Sequence, residues 1–256
     1  MHMLFRLDGK TALITGGGSG IGFAIASAML QQGADVIIAS RNMERLTAAV
    51  RQLESSGPGR IVCAPLDLKN DSSIEELARF IEKRGNGLDI LVNNSAVLHL
   101  APMEEYSDAV FEDIFRTNVA GMLKLTLAVL PLIKSRGAGK IINVGSYVEE
   151  IVRPNVAVYA AAKGAIRQLT KSMAVEWAKY HIQANLLSPG IIATEFTADT
   201  MQKDPAWKAF CERRIPLGRW GRASDVGACA VYLASSASDY MTGAQLTVDG
   251  GILASL

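Results

Sequence analysis

Residues 11–32 constrain the fold more than any other stretch. Thr11-Ala-Leu-Ile-Thr15 is a short apolar, partly β-branched run that reads as a buried strand. It breaks into Gly16-Gly-Gly-Ser-Gly-Ile-Gly22, and an apolar helical stretch follows as far as Gly33, which acts as its stop signal. Glycines let the backbone turn sharply and come close to a diphosphate, while a helix N-terminus offers free N–H groups and a partial positive charge. The spacing Gly16-x-x-x-Gly20-x-Gly22 is neither G-x-G-x-x-G nor a Walker loop, since no Gly-Lys-Ser/Thr follows. Alone it could be a plain tight turn. Its place directly after a first buried strand favours nucleotide binding.

The same alternation continues along the chain. Further strands are expected at Ala34–Ser40, Arg60–Asp67, Leu88–Asn94, Lys140–Gly145, His181–Leu187 and Gln245–Val248. Between them lie helical stretches to about Glu54, from Asp71, which can cap its helix, to about Lys83, Ala109–Lys134 (with a kink or fraying end at Pro131), Asn155–Tyr180 and Ser224–Ser235. Seven strands alternating with six helices predict an α/β fold: a parallel sheet covered on both faces, joined by right-handed crossovers. No repeat or linker divides the 256 residues, so one domain spanning 1–256 is expected. Residues 191–222 form its longest irregular segment, long enough to act as a lid.

Composition removes several function classes. A formal net charge of +1 with scattered Lys and Arg gives no electrostatic support for nucleic-acid or anionic-membrane binding. No run approaches the ~18 apolar residues of a membrane span, and the N-terminus lacks the pattern of a signal peptide. The odd cysteine count, Cys63, Cys211 and Cys229 without CxxC spacing, fits a reducing compartment. A cytoplasmic protein is expected. His2, His99 and His181 show no ligand spacing, so no metal site is expected.

Two stretches carry chemistry. At the end of the second strand stand Ser40 and Arg41, with no carboxylate before Glu44. An acidic residue there would receive a ribose 2′-hydroxyl, whereas Arg pairs with a 2′-phosphate, which favours NADP(H) over NAD(H). Farther on, Tyr159 and Lys163 are four residues apart, so on a helix they share a face. A nearby ammonium is expected to lower the phenol pKa. Ser146, thirteen residues before Tyr159 at the end of a strand-like run, could reach the same point.

With these pieces placed, the chain resembles the short-chain dehydrogenase/reductase family over essentially its full length. Thr15 to Gly22, with Gly16, Ser19, Gly20, Ile21 and Gly22, is similar to that family's TGxxxGxG. Asp67 and Leu68 resemble the pair that flanks the adenine, and Asn93-Asn94-Ser95-Ala96 resembles NNAG, with Ala96 in place of its glycine. Asn118 sits at the family's active-site asparagine, and Ser146, Tyr159 and Lys163 match its serine and YxxxK. The run containing Pro189, Gly190, Ile192 and Thr194 resembles the segment that holds the nicotinamide end, and Asp249-Gly-Gly251 the C-terminal DGG.

The resemblance implies a Rossmann-like, doubly wound seven-stranded sheet and NAD(P)-dependent interconversion of a ketone and a secondary alcohol. Tyr159 would be the general acid/base. Ser146 would stabilise the carbonyl oxygen, Lys163 would tune the phenol and bind the nicotinamide ribose, and Asn118 would bend its helix and hold a water. The substrate would be a 3-oxoacyl thioester, a sugar acid, a steroid-like ketone or another small ketone. An enoyl-thioester reductase and a catalytically silent nucleotide sensor are the alternatives.

Other residues leave two readings open. Glu149, Glu150 and Arg153 follow Ser146 in a loop that either meets substrate or is solvated, and His99 either touches substrate or is an ordinary loop residue. Phe196, Met201, Trp207 and Phe210 either close over an apolar substrate or dock the 191–222 segment. The two long helices are apolar on more than one face, as Met122, Leu123, Leu125, Leu127 and Val129 illustrate. A sheet covers one face only, which predicts a subunit interface, and the resemblance implies a homotetramer or homodimer.

Overall fold

In the computed structural model, which describes residues 2–195, 197 and 205–255, the apolar runs form parallel strands and the stretches between them form helices. The first half contains β1 (Thr11–Thr15), α1 (Gly20–Gln31), β2 (Asp35–Ser40), α2 (Met43–Leu53), β3 (Ile61–Pro65), α3 (Asp71–Lys83), β4 (Ile90–Asn93) and α4 (Asp108–Phe115). After α4 come α5 (Met122–Lys134), β5 (Gly139–Val144), α6 (Ala157–Trp177), β6 (Ile182–Pro189) and β7 (Ile192–Ala193). The chain closes with α7 (Pro205–Arg214), β8 (Gly221–Arg222), α8 (Ala223–Ala234) and β9 (Gln245–Val248).

Seven strands make one parallel sheet in the order β3-β2-β1-β4-β5-β6-β9, while β7 and β8 pair separately. Side chains alternate between faces along a strand, and here both faces are apolar. Ala12, Ile14, Val36 and Ile38 pack under α1, α2 and α8, whereas Leu13, Ile37 and Ala39 pack under α3, α5 and α6. Each fully buried Leu or Ile contributes about 1.5–3 kcal/mol. The order reverses between β1 and β4, and that switch point opens a crevice at the carboxyl ends of the strands.

Several local expectations are corrected. Asn70, not Asp71, caps α3, its side chain accepting from the N–H groups of Ser72 and Ser73. The long helix from 109 to 134 is interrupted by a π-turn at Arg116–Gly121, though Pro131 stays inside α5. The helix expected from Asn155 begins at Ala157, because Asn155 adopts φ +68°. His181 is likewise left-handed at φ +56°, and β6 starts after it and runs on to Pro189. The segment 191–222 is not irregular: it holds β7, α7 and β8, with Pro205 opening α7, where its missing N–H is not needed. A small cluster of Ile191, Cys211, Ile215, Trp220 and Ile252 fastens that segment to the C-terminal turn. Phe196 and Met201 lie outside the described residues, as do the side chains of Trp207 and Phe210.

The continuous helical run Asp108–Lys134, at 27 residues, is long and apolar enough to cross a membrane, but half of its most apolar stretch is buried. Met122, Leu125, Val129 and Ile133 lie in the core against the sheet.

Candidate active site

The crevice above β1 and β4 is a cleft of about 440 Å³. Gly16 turns there at φ +68°, and a Cβ on it would come within 2.8 Å of Asn94 Nδ2. Gly22 is a packing position: its Cβ would lie 2.3 Å from the Gly16 carbonyl oxygen, and the residue does not line the cleft. Ser19 is extended and supplies no side-chain cap to α1, whose first turn carries no acidic residue. The N–H groups of that turn, with Ser19, Gly20 and Ile21 lining the cleft, suit a bound anion.

One end of the cleft is lined by Ser40, Arg41, Asn42 and Arg45. Arg41 is exposed and has no carboxylate partner among the described residues. Arg45 pairs instead with Glu195, bridging α2 to the segment after β7. Asp67 and Leu68 also line this end, with Asp67 held by a 2.9 Å bond from Lys69 N–H to its carboxylate. At the end of β4, Thr15 Oγ1 accepts from the N–H groups of Asn94 and Ser95 at 2.9 and 3.0 Å, and Asn94 Nδ2 donates to Thr15 O at 2.9 Å. These bonds lock the β4 loop against the glycine loop, with Asn94 and Ala96 facing the cleft.

Asn118 lies in the π-turn, 1% exposed and outside the cleft lining. Its side chain accepts from Val97 N–H at 2.8 Å and donates to Val97 O at 2.9 Å. The widened turn supplies the helix bend expected at this residue. Beneath it, Asn93 donates to Thr126 and Asn143, and Asn143 donates to Thr170, a buried chain joining β4 and β5 to α5 and α6.

Ser146, Tyr159 and Lys163 all line the middle of the cleft. Ser146 ends β5's extension, with Val148 N–H donating to its Oγ at 3.4 Å. Lys163, 2% exposed, donates to the Val144 carbonyl at 2.6 Å. Burial lowers its ammonium to about 8, against an upward pull from Glu149. Tyr159 packs with Val148, Val156 and Ala160, and Lys163 Nζ is 5.5 Å from its ring centroid. The expected lowering of the phenol is overturned in this arrangement. Burial pushes Tyr159 above its ordinary value, and Glu149 and then the nearby Tyr147 add to the effect.

Pro189, Gly190, Ile192 and Thr194 line the cleft opposite. Gly190 packs on Asp249, whose Cα a Cβ there would meet at 2.6 Å, while the Asp249 carboxylate accepts from the N–H groups of Gly251 and Leu253. Tyr147, Val148, Arg153 and Val156 complete the wall beside Ser146 and Tyr159. Arg153 donates to the Pro154 carbonyl and to the Tyr147 phenol; burial raises that phenol and Arg153 partly offsets it. Glu149 and Glu150 both lie outside the cleft lining: Glu149 bonds Ser188 and Ser146 N–H, and Glu150 pairs with Arg167. His99 pairs with Asp113 at 2.8 Å and likewise does not line the cleft. Tyr147, Arg45 and Glu195 were not expected in the cleft. Arg45 and Glu195 are 150 residues apart and carry no local signal.

A phosphate-type glycine loop at the switch point, with a serine, a phenol and an ammonium converging above it, defines a nucleotide-dependent oxidoreductase. The family model described as "Enoyl-(Acyl carrier protein) reductase" matches residues 16–253. A gluconate 5-dehydrogenase of Gluconobacter oxydans (strain 621H) is 38% identical over 99% of this chain and 98% of its own. A 2-dehydro-3-deoxy-D-gluconate 5-dehydrogenase of Bacillus subtilis (strain 168) is 39% identical over 99% of this chain and 98% of its own. The crystal structure of a gluconate 5-dehydrogenase from Burkholderia cenocepacia J2315, in complex with NADP and tartrate, superposes with a TM-score of 0.94 at 37% identity, covering 100% of this chain and 99% of that one. The chain belongs to the short-chain dehydrogenase/reductase family. It is an NAD(P)-dependent oxidoreductase that interconverts a ketone and a secondary alcohol.

Proposed function

We propose that the substrate is a sugar acid of the gluconate class and that NADP(H) is the preferred cofactor. The observation that carries the first point is Arg153, a cation lining the cleft beside Ser146 and Tyr159, where a carboxylate of the substrate can pair with it. The names of the relatives, gluconate and dehydro-deoxygluconate dehydrogenases, support it. For the cofactor, Ser40 ends β2 and Arg41 follows it, where NAD-selective sheets carry an acid, and the NADP bound in the Burkholderia relative agrees.

The residues present fit the dinucleotide. Ser19, Gly20 and Ile21 would hold its diphosphate, Ser40 and Arg41 its 2′-phosphate, and Asp67 and Leu68 its adenine. Asn94, Ala96, Pro189, Gly190, Ile192 and Thr194 would hold the nicotinamide end, with Tyr159 and Lys163 at the ribose. When bound, the cofactor supplies or accepts the hydride. Tyr159, kept neutral by its surroundings, donates its proton to the carbonyl oxygen during reduction and takes it back during oxidation. Ser146 Oγ already accepts from Val148 N–H, which leaves its hydroxyl hydrogen to stabilise the same oxygen. Lys163 is mostly protonated at neutral pH and favours charge developing at the phenol. Asn118 fixes the backbone that forms the cleft floor.

The segment 191–222 serves as the substrate lid. The protein acts in the cytoplasm as a homotetramer or homodimer, a reading supported by Cys63, Cys211 and Cys229, which form no disulfide, and by apolar residues exposed on its long helices.

Steady-state assays with NADPH or NADH test the reading against keto-gluconates, neutral ketones and enoyl thioesters. Turnover of keto-gluconates, with a KM for NADPH at least about tenfold below that for NADH, is expected. Arg153→Ala should raise KM for the acid far more than for a neutral polyol ketone. Turnover confined to enoyl thioesters, or tight NADPH binding with no turnover at all, would overturn it.

A further inference from the structure

Glu149 has no part in the reaction as described, yet it stands directly behind the residues that carry it. It is the fourth residue of Ser146-Tyr147-Val148-Glu149, and Ser146 and Glu149 form a capping box around a short 3-10 turn. A capping-box glutamate reaches back to the backbone N–H of the cap residue. This one is partly buried and turned inward. Its Oε2 accepts from Ser146 N–H at 3.1 Å. Its Oε1 accepts from the Ser188 hydroxyl at the end of β6 and from Gln245 Nε2 on β9 at 3.1 Å. A Cβ on Gly145 would lie 2.6 Å from the carboxylate, so glycine is needed there for it to fit. Lys163 donates to the carbonyl of Val144, the residue just before. Cation and carboxylate are thus held at adjoining peptides of one strand end.

We propose that Glu149 is an electrostatic positioning residue, the counter-ion that keeps Lys163 charged and Tyr159 protonated through the working pH range. The charged or titratable groups facing it are Tyr159, Lys163 and Arg167 on α6, while β6 and β9 contribute only the neutral Ser188 and Gln245; Tyr147, on the same turn, acts on Tyr159. Burial raises the Glu149 carboxyl, and the Ser188 hydroxyl, Ser146 N–H, Lys163 and Arg167 all act to keep it charged. Arg167 is also paired with Glu150 at 2.9 Å, whereas Lys163 has no carboxylate of its own among the described residues. A negative charge favours the protonated form of both a phenol and an ammonium. Its direction of action on both neighbours is upward. Removing it must therefore let both lose their protons at lower pH.

The inference rests on the reading of Tyr159 as the proton donor, and the experiment separates the two. The pH profile of kcat/KM for ketone reduction is measured for wild type, Glu149→Gln, Glu149→Asp and Tyr159→Phe. In Glu149→Gln the alkaline limb is expected to move to lower pH by roughly one unit, and Glu149→Asp should restore most of it. Phenolate absorbance of the cofactor-free protein, taken as the difference from the Tyr159→Phe form, should show the same acid shift. Should Glu149→Gln not fold, Ser188→Ala removes one donor to the carboxylate and is expected to give a smaller shift of the same sign. Folded Glu149→Gln with a wild-type profile and titration would make Glu149 a structural cap only. Retained activity in Tyr159→Phe would instead overturn the role of Tyr159.

Discussion

Tyr159 is kept neutral by what surrounds it: Val148, Val156 and Ala160 remove water, and the Glu149 carboxylate repels a phenolate. A neutral phenol is the form a proton donor needs. Tyr159→Phe is therefore expected to cut kcat by about 10²–10⁴-fold while NADPH still binds, which fluorescence titration would check. Arg41 is a second single-residue test. Its guanidinium is exposed and has no carboxylate partner among the described residues, so Arg41→Ala should leave stability unchanged. It should weaken NADPH about 10–100-fold and leave NADH within a factor of two or so of wild type. Equal losses for both cofactors would remove Arg41 from the 2′-phosphate site. At this scale the sequence was informative about which side chains gather in the cleft, because the chemistry it points to needs particular residues at fixed spacing. Their charge states were another matter: the Tyr159–Lys163 spacing implied a lowered phenol pKa, and desolvation with Glu149 reversed the sign.

Among the elements, the π-turn Arg116–Gly121 shows how local geometry sets the site. It inserts extra backbone between α4 and α5, turns Asn118 onto Val97, and lets Gly121 sit against the Leu68 carbonyl. A Cβ on Gly121 would lie 2.3 Å from that oxygen and 2.8 Å from Leu68 Cβ. Gly121→Ala is thus expected to cost about 1–3 kcal/mol, read as a fall in Tm of roughly 2–4 °C per kcal/mol. Because Leu68 lines the cleft, affinity for NADPH should fall as well. An unchanged Tm would mean the turn can relax without cost. The periodicity of residues 109–134 is helical throughout, and nothing in it marks the wider turn. The same holds for 191–222, where three short elements are fixed by packing of Ile191, Cys211, Ile215 and Trp220 and not by any strong local pattern.

At the scale of the molecule, helices on both faces bury the sheet, but α4, α5 and α6 keep apolar side chains outward. Phe111, Leu127 and Val175 are 47%, 49% and 81% exposed, and Phe111 stacks on Phe115 at 4.6 Å. Full burial of such a side chain contributes up to about 1.5–3 kcal/mol, and covering the part of each that remains exposed would favour a subunit contact there. Light scattering should find a dimer or tetramer, and Leu127→Lys with Val175→Asp should shift it toward monomer without unfolding it. A monomeric wild-type protein would refute the interface. The sequence by itself determined the parallel sheet, the glycine loop and the Ser146–Tyr159–Lys163 set, since strand burial, tight turns and helix spacing are local and periodic. Tertiary structure alone decided that Gly22 packs and does not line the cleft, that Arg45 meets Glu195 across it, and that Glu149 turns inward behind Lys163. Those outcomes depend on which distant groups share a small, poorly solvated volume, and no periodic pattern along the chain encodes that.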